Sequence, residues 1–166
     1  MARTPKLNRF VAIDFELANR NPRSVCAMGA VAVVNGETVW EINTRFRPSP
    51  ERVTYQAIHG LSESELRGCP AFNTAWPELA QPLGEFPVWV AHNAAFERQV
   101  LRAACEFWAL KRPKTHWLCT MSLARRTIGV SALNSVCREL AIPLEHHSPL
   151  PDARAAAKIA TTLSGS

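Results

Sequence analysis

The chain has 166 residues, of which 47% are hydrophobic and 20% charged. This is enough apolar sequence to bury the core of one domain, and it excludes a disordered or collagen-like chain. Nineteen Lys and Arg residues against fourteen acids give a net charge of +5, which favours an anionic partner, with nucleic acid ahead of a membrane surface. Only two of the acids are aspartates, Asp14 and Asp152.

The cysteines and the apolar runs indicate the class of protein. Five widely spaced cysteines without a C-x-x-C pair argue against both a disulfide framework and a structural zinc site. No apolar run reaches the length of about 18 residues that a membrane span needs, and no signal peptide is recognisable. We therefore expect one cytoplasmic domain over residues 1–166, with its core at about 9–163, which could be cut from a longer protein.

The first third of the chain predicts three strands. Residues 9–15 are a short apolar run of the kind found in a buried central strand. Residues 25–34 are small and β-branched and lead into Asn35-Gly36, a two-residue hairpin signal. Residues 38–46 then alternate between apolar and polar side chains. These three segments predict an antiparallel meander.

The remainder of the chain alternates between helical and strand patterns. Short strands are predicted over 88–91 and 116–120. Helices are predicted over 71–83, 94–110, 121–127, 133–141 and 149–163. The last helix would have Ser148 as its N-cap and Pro149 at its first position. The pattern predicts an α/β domain with a mixed five-stranded sheet flanked by helices.

Three acidic groups stand at the ends of predicted elements. Asp14 and Glu16, two residues apart at the end of the first strand, should face the same side of the sheet, where like charges are costly unless a cation neutralises them. Glu97 lies in the first turn of a helix, and His147 precedes Asp152 by five residues at the start of the last helix. Each group also has a structural explanation, as a solvated strand end or an acid that complements a helix dipole.

In this order, the three groups resemble a known family. D-x-E after the first strand, H-N-x-x-F followed by an acid after the fourth, and H-x4-D before the last helix resemble the DEDDh subfamily of DnaQ-like 3′–5′ exonucleases. That subfamily includes the proofreading subunits of bacterial replicative polymerases, RNase T and oligoribonuclease. IHGLSESEL at 58–66 and LCTMSLARR at 118–126 also resemble family segments. The likeness covers about residues 10–160.

The resemblance implies an RNase H-like fold and a metal-dependent 3′–5′ exonuclease. Such an enzyme would act on single-stranded nucleic acid, DNA favoured over RNA, and release nucleoside 5′-monophosphates by a two-metal mechanism. The residues that the resemblance makes catalytic are Asp14, Glu16, Glu97, His147 and Asp152. Of these, Asp14, Glu16 and Asp152 would bind two Mg²⁺ or Mn²⁺ ions. His147 would be the general base, with His146 as its neighbouring rival.

The substrate contacts carry over from the family less specifically. They are Phe15, Leu17, His59, Leu61, Asn93 and Phe96. Leu61 would separate the last two bases, and core packing is the alternative explanation for Leu61 and Phe96. The implied partners are 3′ ends of single-stranded nucleic acid and a polymerase or another protein, and the oligomeric state is left open.

Three residues depart from the family pattern. Glu97 replaces the usual Asp, Leu17 follows D-x-E where Thr is common, and Pro149 replaces the Ala of H-x-A. These departures leave open an alternative, a catalytically weak or silent module that binds nucleic acid or a polymerase. A serine hydrolase that uses Ser148 beside His147 is disfavoured because no G-x-S-x-G motif is present.

Overall fold

The computed structural model describes residues 7–145 and 148–164. The strands are β1 (Arg9–Leu17), β2 (Val25–Val34), β3 (Glu37–Arg45), β4 (Val88–Ala91) and β5 (His116–Cys119). The helices are α1 (Gln56–His59), α2 (Glu63–Arg67), α3 (Phe72–Gly84), α4 (Ala94–Phe107), α5 (Thr120–Ile128), α6 (Leu133–Glu139) and α7 (Pro149–Leu163).

The strands form one sheet in the order β3-β2-β1-β4-β5, with β1 at its centre. β1 is antiparallel to β2, and β2 to β3, while β4 runs parallel to both β1 and β5. Asn35 and Gly36, between β2 and β3, have positive φ angles of 54° and 87°, as a tight hairpin turn requires. The predicted mixed five-stranded sheet with flanking helices is therefore confirmed.

The two faces of the sheet are covered by different helices. Side chains alternate along β1, so Ile13 and Phe15 pack with Trp76 of α3 and with the inner side of α4. On the other face, Phe10 and Ala12 pack against the alanines of α7. The central strand is thus buried from both sides, which fixes where its carboxyl end lies.

Two short helices, α1 and α2, are not among the predicted elements. Four or five residues are too few to show a helical period, so the sequence identifies the segment 58–66 only by its family motif. Its second half nevertheless carries a capping box, in which Ser62 Oγ accepts from the Glu65 N–H at 3.3 Å and Glu65 Oε2 accepts from the Ser62 N–H at 2.8 Å. The spacing S-x-x-E could have revealed this helix start.

The cysteines and the helix lengths can be examined in the described residues. All five cysteines lie in the described residues and are free. Within residues 7–145 and 148–164, none of the helices has the length and apolar character needed to cross a membrane.

The start of α7 lies unusually close to β2. Ser148 is the N-cap residue and Pro149 begins the helix, as the sequence predicts, although the Ser148 side chain makes no capping hydrogen bond. A Cβ atom added to Gly29 of β2 would lie 2.3 Å from the carbonyl carbon of Pro149 and 2.4 Å from the backbone nitrogen of Leu150. Only glycine therefore permits this approach of helix to sheet.

We expect Gly29→Ala to destabilise the fold by about 1–3 kcal/mol, because the added methyl group overlaps backbone atoms that cannot rotate away. Urea unfolding measures the change. Gly68→Ala is the matched control, since nothing lies within 4 Å of a Cβ at that position and its φ is −82°. Equal stability of the two variants would show that α7 can shift at no cost.

Candidate active site

Two acidic side chains leave β1 on the face covered by α7. Val11, Ile13, Phe15 and Leu17 all belong to the core on the opposite face. Because strand side chains alternate, Asp14 and Glu16 continue the row of Phe10 and Ala12 toward α7. The alternation that the sequence predicts therefore places both carboxylates on one side of the sheet.

A third carboxylate, that of Asp152, reaches the same place from the first turn of α7. This helix packs on the sheet through alanines and begins directly over Gly29, the residue paired with Asp14 across β1 and β2. One carboxylate oxygen each from Asp14, Glu16 and Asp152 lies within 4.8 Å of the others. The close approach at Gly29 thus sets the spacing between the strand acids and the helix acid.

The carboxylate of Glu97 lies apart from the cluster of three acids and accepts a hydrogen bond from the backbone. β4 pairs with β1 only as far as Ala12, opposite Val90, whereas β1 continues to Leu17. The backbone N–H of Phe15 donates to Oε2 of Glu97 at 3.0 Å in a buried contact. Glu97 is 5% exposed and is not part of the set of oxygens within 4.8 Å. Its carboxylate therefore completes the backbone bonding of β1.

Burial and mutual repulsion raise the pKa values of Asp14, Glu16 and Glu97. Burial, followed by the charges of Glu97, Glu16 and Asp152, holds the pKa of Asp14 well above its ordinary value. Burial and the charge of Asp152 raise the pKa of Glu16 to about 7. Burial also raises the pKa of Glu97, against the hydrogen bond from Phe15. A cation would relieve this repulsion, and hard divalent ions prefer carboxylate oxygens.

His59 is buried and supports the turn that carries Leu61. Its Nδ1 accepts the backbone N–H of Leu61 at 3.1 Å, and its Nε2 lies 3.8 Å from Sγ of Cys26. Burial lowers the pKa of His59, which favours the neutral ring. Leu61 is 9% exposed and packs with Ala18 and Leu66. The predicted contact of Leu61 with substrate stays a prediction.

The other predicted substrate contacts differ in exposure. Phe15 and Leu17 are 3% and 8% exposed and lie in the core, so near the site they offer their backbone rather than their side chains. Phe96 is 39% exposed in the first turn of α4. Asn93 precedes that helix with a φ of 136°, a strained angle for a residue other than glycine. Asn93 and Phe96 are thus the accessible members of the set.

The predicted general base cannot be placed. His147 and its rival His146 lie outside the described residues. Their neighbour Ser148 is the N-cap of the helix that carries Asp152, so the predicted H-x4-D segment leads into α7.

Comparison with known proteins identifies the family. A family model described as exonuclease, RNase T, matches residues 11–160. This chain belongs to the RNase T exonuclease family. The predicted membership in the DnaQ-like exonucleases is thereby confirmed, and the match covers the whole sheet beyond the first two residues of β1.

The first relative in sequence is a much longer protein than this chain. Over 160 residues this chain is 31% identical to the PolC-type DNA polymerase III of Thermotoga petrophila, a match that covers 90% of this chain and 11% of that protein. The chain therefore spans about a tenth of this relative. Its own fold matches that of exonuclease X in complex with 5′-overhanging duplex DNA, with a TM-score of 0.73, 24% identity, and coverage of 92% and 90%.

A second solved structure supports the same fold. It is the structure of a 3′-exonuclease that recognises the 3′ end of a histone mRNA stem-loop. Its TM-score is 0.78 at 14% identity. The match covers 93% of this chain and 80% of that chain. These neighbours are exonucleases with an RNase H-like fold, which confirms the predicted fold class.

Two contributors to the site escape sequence reasoning. Gly29 sits in a run of small residues, VCAMGAVAVV, where nothing distinguishes it from the alanines around it. The N–H of Phe15 is a backbone group, and its bond to Glu97 joins residues 82 positions apart. The one available signal is the mismatch in length between the nine residues of β1 and the four of β4, which leaves part of β1 without a parallel partner.

We expect the metal-free protein to lose stability as the pH rises from about 4.5 to about 7. The pKa of Glu16 is about 7 in the folded state and near 4.5 when unfolded, so the folded state binds more protons in this interval. Each unit of pKa difference corresponds to about 1.4 kcal/mol. Urea unfolding in EDTA at several pH values measures the trend, and Glu16→Gln should flatten it. Parallel curves for the two proteins would contradict the assignment.

Substitutions of Glu97 should separate the hydrogen bond from the charge. Glu97→Asp shortens the side chain by one methylene and leaves the buried N–H of Phe15 without its acceptor, at a cost of about 1–3 kcal/mol. Glu97→Gln keeps an acceptor of the right length and removes a charge, so it should be at least as stable as the wild type. Urea unfolding in EDTA at pH 8 compares them. A Glu97→Asp variant as stable as Glu97→Gln would contradict this role.

Proposed function

We propose that this chain is a metal-dependent 3′–5′ exonuclease that removes nucleoside 5′-monophosphates from the 3′ end of single-stranded nucleic acid. The observation that carries the proposal is the convergence of Asp14, Glu16 and Asp152, from a central strand and a helix, with ligand oxygens within 4.8 Å. Such a cluster is electrostatically unfavourable by itself, and divalent cations are the partners that suit it. Membership in an exonuclease family supports the same chemistry.

The donor set fits two Mg²⁺ or Mn²⁺ ions. Asp14, Glu16 and Asp152 would hold them, and the raised pKa values of Asp14 and Glu16 are those expected of carboxylates that are buried and gathered without a cation. When bound, such ions activate a water molecule for attack on the phosphodiester and neutralise charge on the leaving 3′ oxygen. Glu97 would hold the end of β1, and with it Asp14 and Glu16, through its bond to the backbone of Phe15.

The proposed general base is His147, which precedes Asp152 by five residues in the chain. A neutral imidazole can accept a proton from the attacking water near pH 7. Asn93 and Phe96, exposed at the start of α4, are proposed to contact the terminal nucleotide. An exposed phenylalanine can stack on any base, which suits an enzyme that removes nucleotides of every sequence.

DNA is the substrate that we favour, with RNA second. The relative from Thermotoga petrophila is a DNA polymerase, and exonuclease X is named in a complex with duplex DNA. A proofreading or polymerase-associated role follows as a proposal from the first of these. We also propose that the chain is a single exonuclease domain that works in the cytoplasm, where its five free thiols would stay reduced.

We expect Asp14→Asn to lower the rate of release of the 3′ nucleotide by at least about 100-fold, the smaller loss typical of removing one preorganised electrostatic contact. The measurement follows 3′-labelled and 5′-labelled single-stranded DNA with Mg²⁺ or Mn²⁺, since only 3′–5′ attack releases the 3′ label at once. EDTA should abolish the reaction. Glu78→Gln, which changes an exposed acid of α3, is the matched control.

Two outcomes would oppose the proposal. Cleavage that survives both Asp14→Asn and EDTA would exclude a reaction dependent on these carboxylates. Tight binding of the oligonucleotide without turnover in the wild type would instead favour the silent nucleic-acid-binding module, which the replacement of the family's Asp by Glu97 leaves as the alternative.

A further inference from the structure

A basic groove lies between the outer side of α4 and the segment that leads into β5. It consists of two adjoining hollows of about 280 Å³ and 710 Å³ that share Arg98, Arg112, Pro113 and Trp117. None of the residues lining either hollow is acidic. The groove is therefore a concave surface lined by cations and an aromatic ring.

The cations of this groove are not neutralised by neighbouring acids. Five of the arginines elsewhere in the described residues lie within 4.0 Å of a glutamate carboxylate, namely Arg9, Arg45, Arg47, Arg67 and Arg154. By contrast, no ion pair within 4.0 Å is found in the described part of the chain for Arg98, Arg102, Arg112 or Lys114. The groove therefore carries positive charges without a close acidic partner, and these charges contribute to the net charge of +5.

The arrangement of these groups suits an extended polyanion. Arg98 and Arg102 are one helical turn apart on α4, so their Cβ atoms lie about 5–6 Å from each other along one wall. Arg112 and Lys114 stand on the other wall. Between them, half-buried Trp117 is fixed by an edge-to-face contact with Trp89, whose ring centroid is 5.4 Å away. Cations in rows with an aromatic side chain are typical of tracks for single-stranded nucleic acid.

α4 links the groove to the acids of the candidate site. Glu97 points inward and bonds to β1, whereas Arg98, the next residue, is exposed on the wall of the groove. We propose that this groove binds the sugar–phosphate backbone of the substrate strand on the 5′ side of the nucleotides at the acidic site. This inference rests on the proposed function, and it adds a second contact surface that uses none of the site residues.

The test compares two pairs of exposed arginines. Arg98→Gln/Arg112→Gln removes two charges from the groove, and Arg125→Gln/Arg126→Gln removes two from the exposed end of α5. Fluorescence anisotropy measures binding of 5′-labelled single-stranded DNA of 20 nucleotides in EDTA, where cleavage is stopped, and a 4-mer serves as competitor. Far-UV circular dichroism verifies folding, and the single variant Lys114→Gln replaces the groove pair if that pair unfolds.

We expect the groove pair to weaken binding of the 20-mer by about 5- to 10-fold near 0.1 M salt, and the α5 pair to change it by less than about twofold. The slope of log affinity against log salt should fall by about 0.7 for each groove cation removed. Affinity for the 4-mer should change less than that for the 20-mer, because a short strand extends less far from the site.

Equal losses for both arginine pairs would reduce the effect to net charge and overturn the proposal. Equal losses for the 4-mer and the 20-mer would also overturn it. An unchanged affinity would overturn it too, and would favour a partner of another class, such as an acidic protein segment, as the ligand of the groove. The outcome is independent of cleavage. A wild type that binds through the groove but hydrolyses nothing refutes the exonuclease proposal alone, while one that cleaves with no effect of Arg98 and Arg112 refutes only the groove.

Discussion

The candidate site depends on packing that holds mutually repelling carboxylates close together. Asp14, Glu16 and Asp152 converge, and Glu97 adds a fourth charge that raises the pKa of Asp14. Backbone packing from both faces of the sheet opposes this repulsion. On one face α7 rests directly on Gly29, and on the other α4 is tied to β1 by the bond between Glu97 and the Phe15 N–H. The fold therefore bears the electrostatic cost of the carboxylate cluster that we propose as a cation site.

The sequence predicts the parts of this site that follow from local periodicity. Asp14 and Glu16 face one side because strand side chains alternate, and Pro149 marks the start of α7 because proline is tolerated there. Five strands and five helices were predictable on the same grounds. The approach at Gly29 was not, since it involves backbone atoms of two segments distant in the chain, and glycine in a strand of small residues has no distinctive pattern.

Net charge alone describes this surface poorly. Arg154 and Glu41 form a two-bond pair at 2.8 and 2.6 Å between α7 and β3, and four other arginines each lie 3.3–4.0 Å from a glutamate. Such pairs cancel locally and contribute little field at a distance. The net charge of +5 is therefore distributed unevenly over the molecule. Negative charge is concentrated at the end of β1, and positive charge lies along the outer side of α4.

Opposite charges on the two sides of α4 make the turn before this helix intolerant of changes in length. Successive residues of an α-helix are rotated by about 100°. Deleting one residue between β4 and α4 would therefore turn Arg98 toward the position of Glu97, and inserting one residue would turn Phe96 there. A cation or an aromatic ring would then face the backbone of Phe15. The strained backbone of Asn93 marks this turn as the point at which the rotational phase of the helix is set. A change of one residue in the length of this connection would therefore break the bond to β1 and displace the wall of the groove.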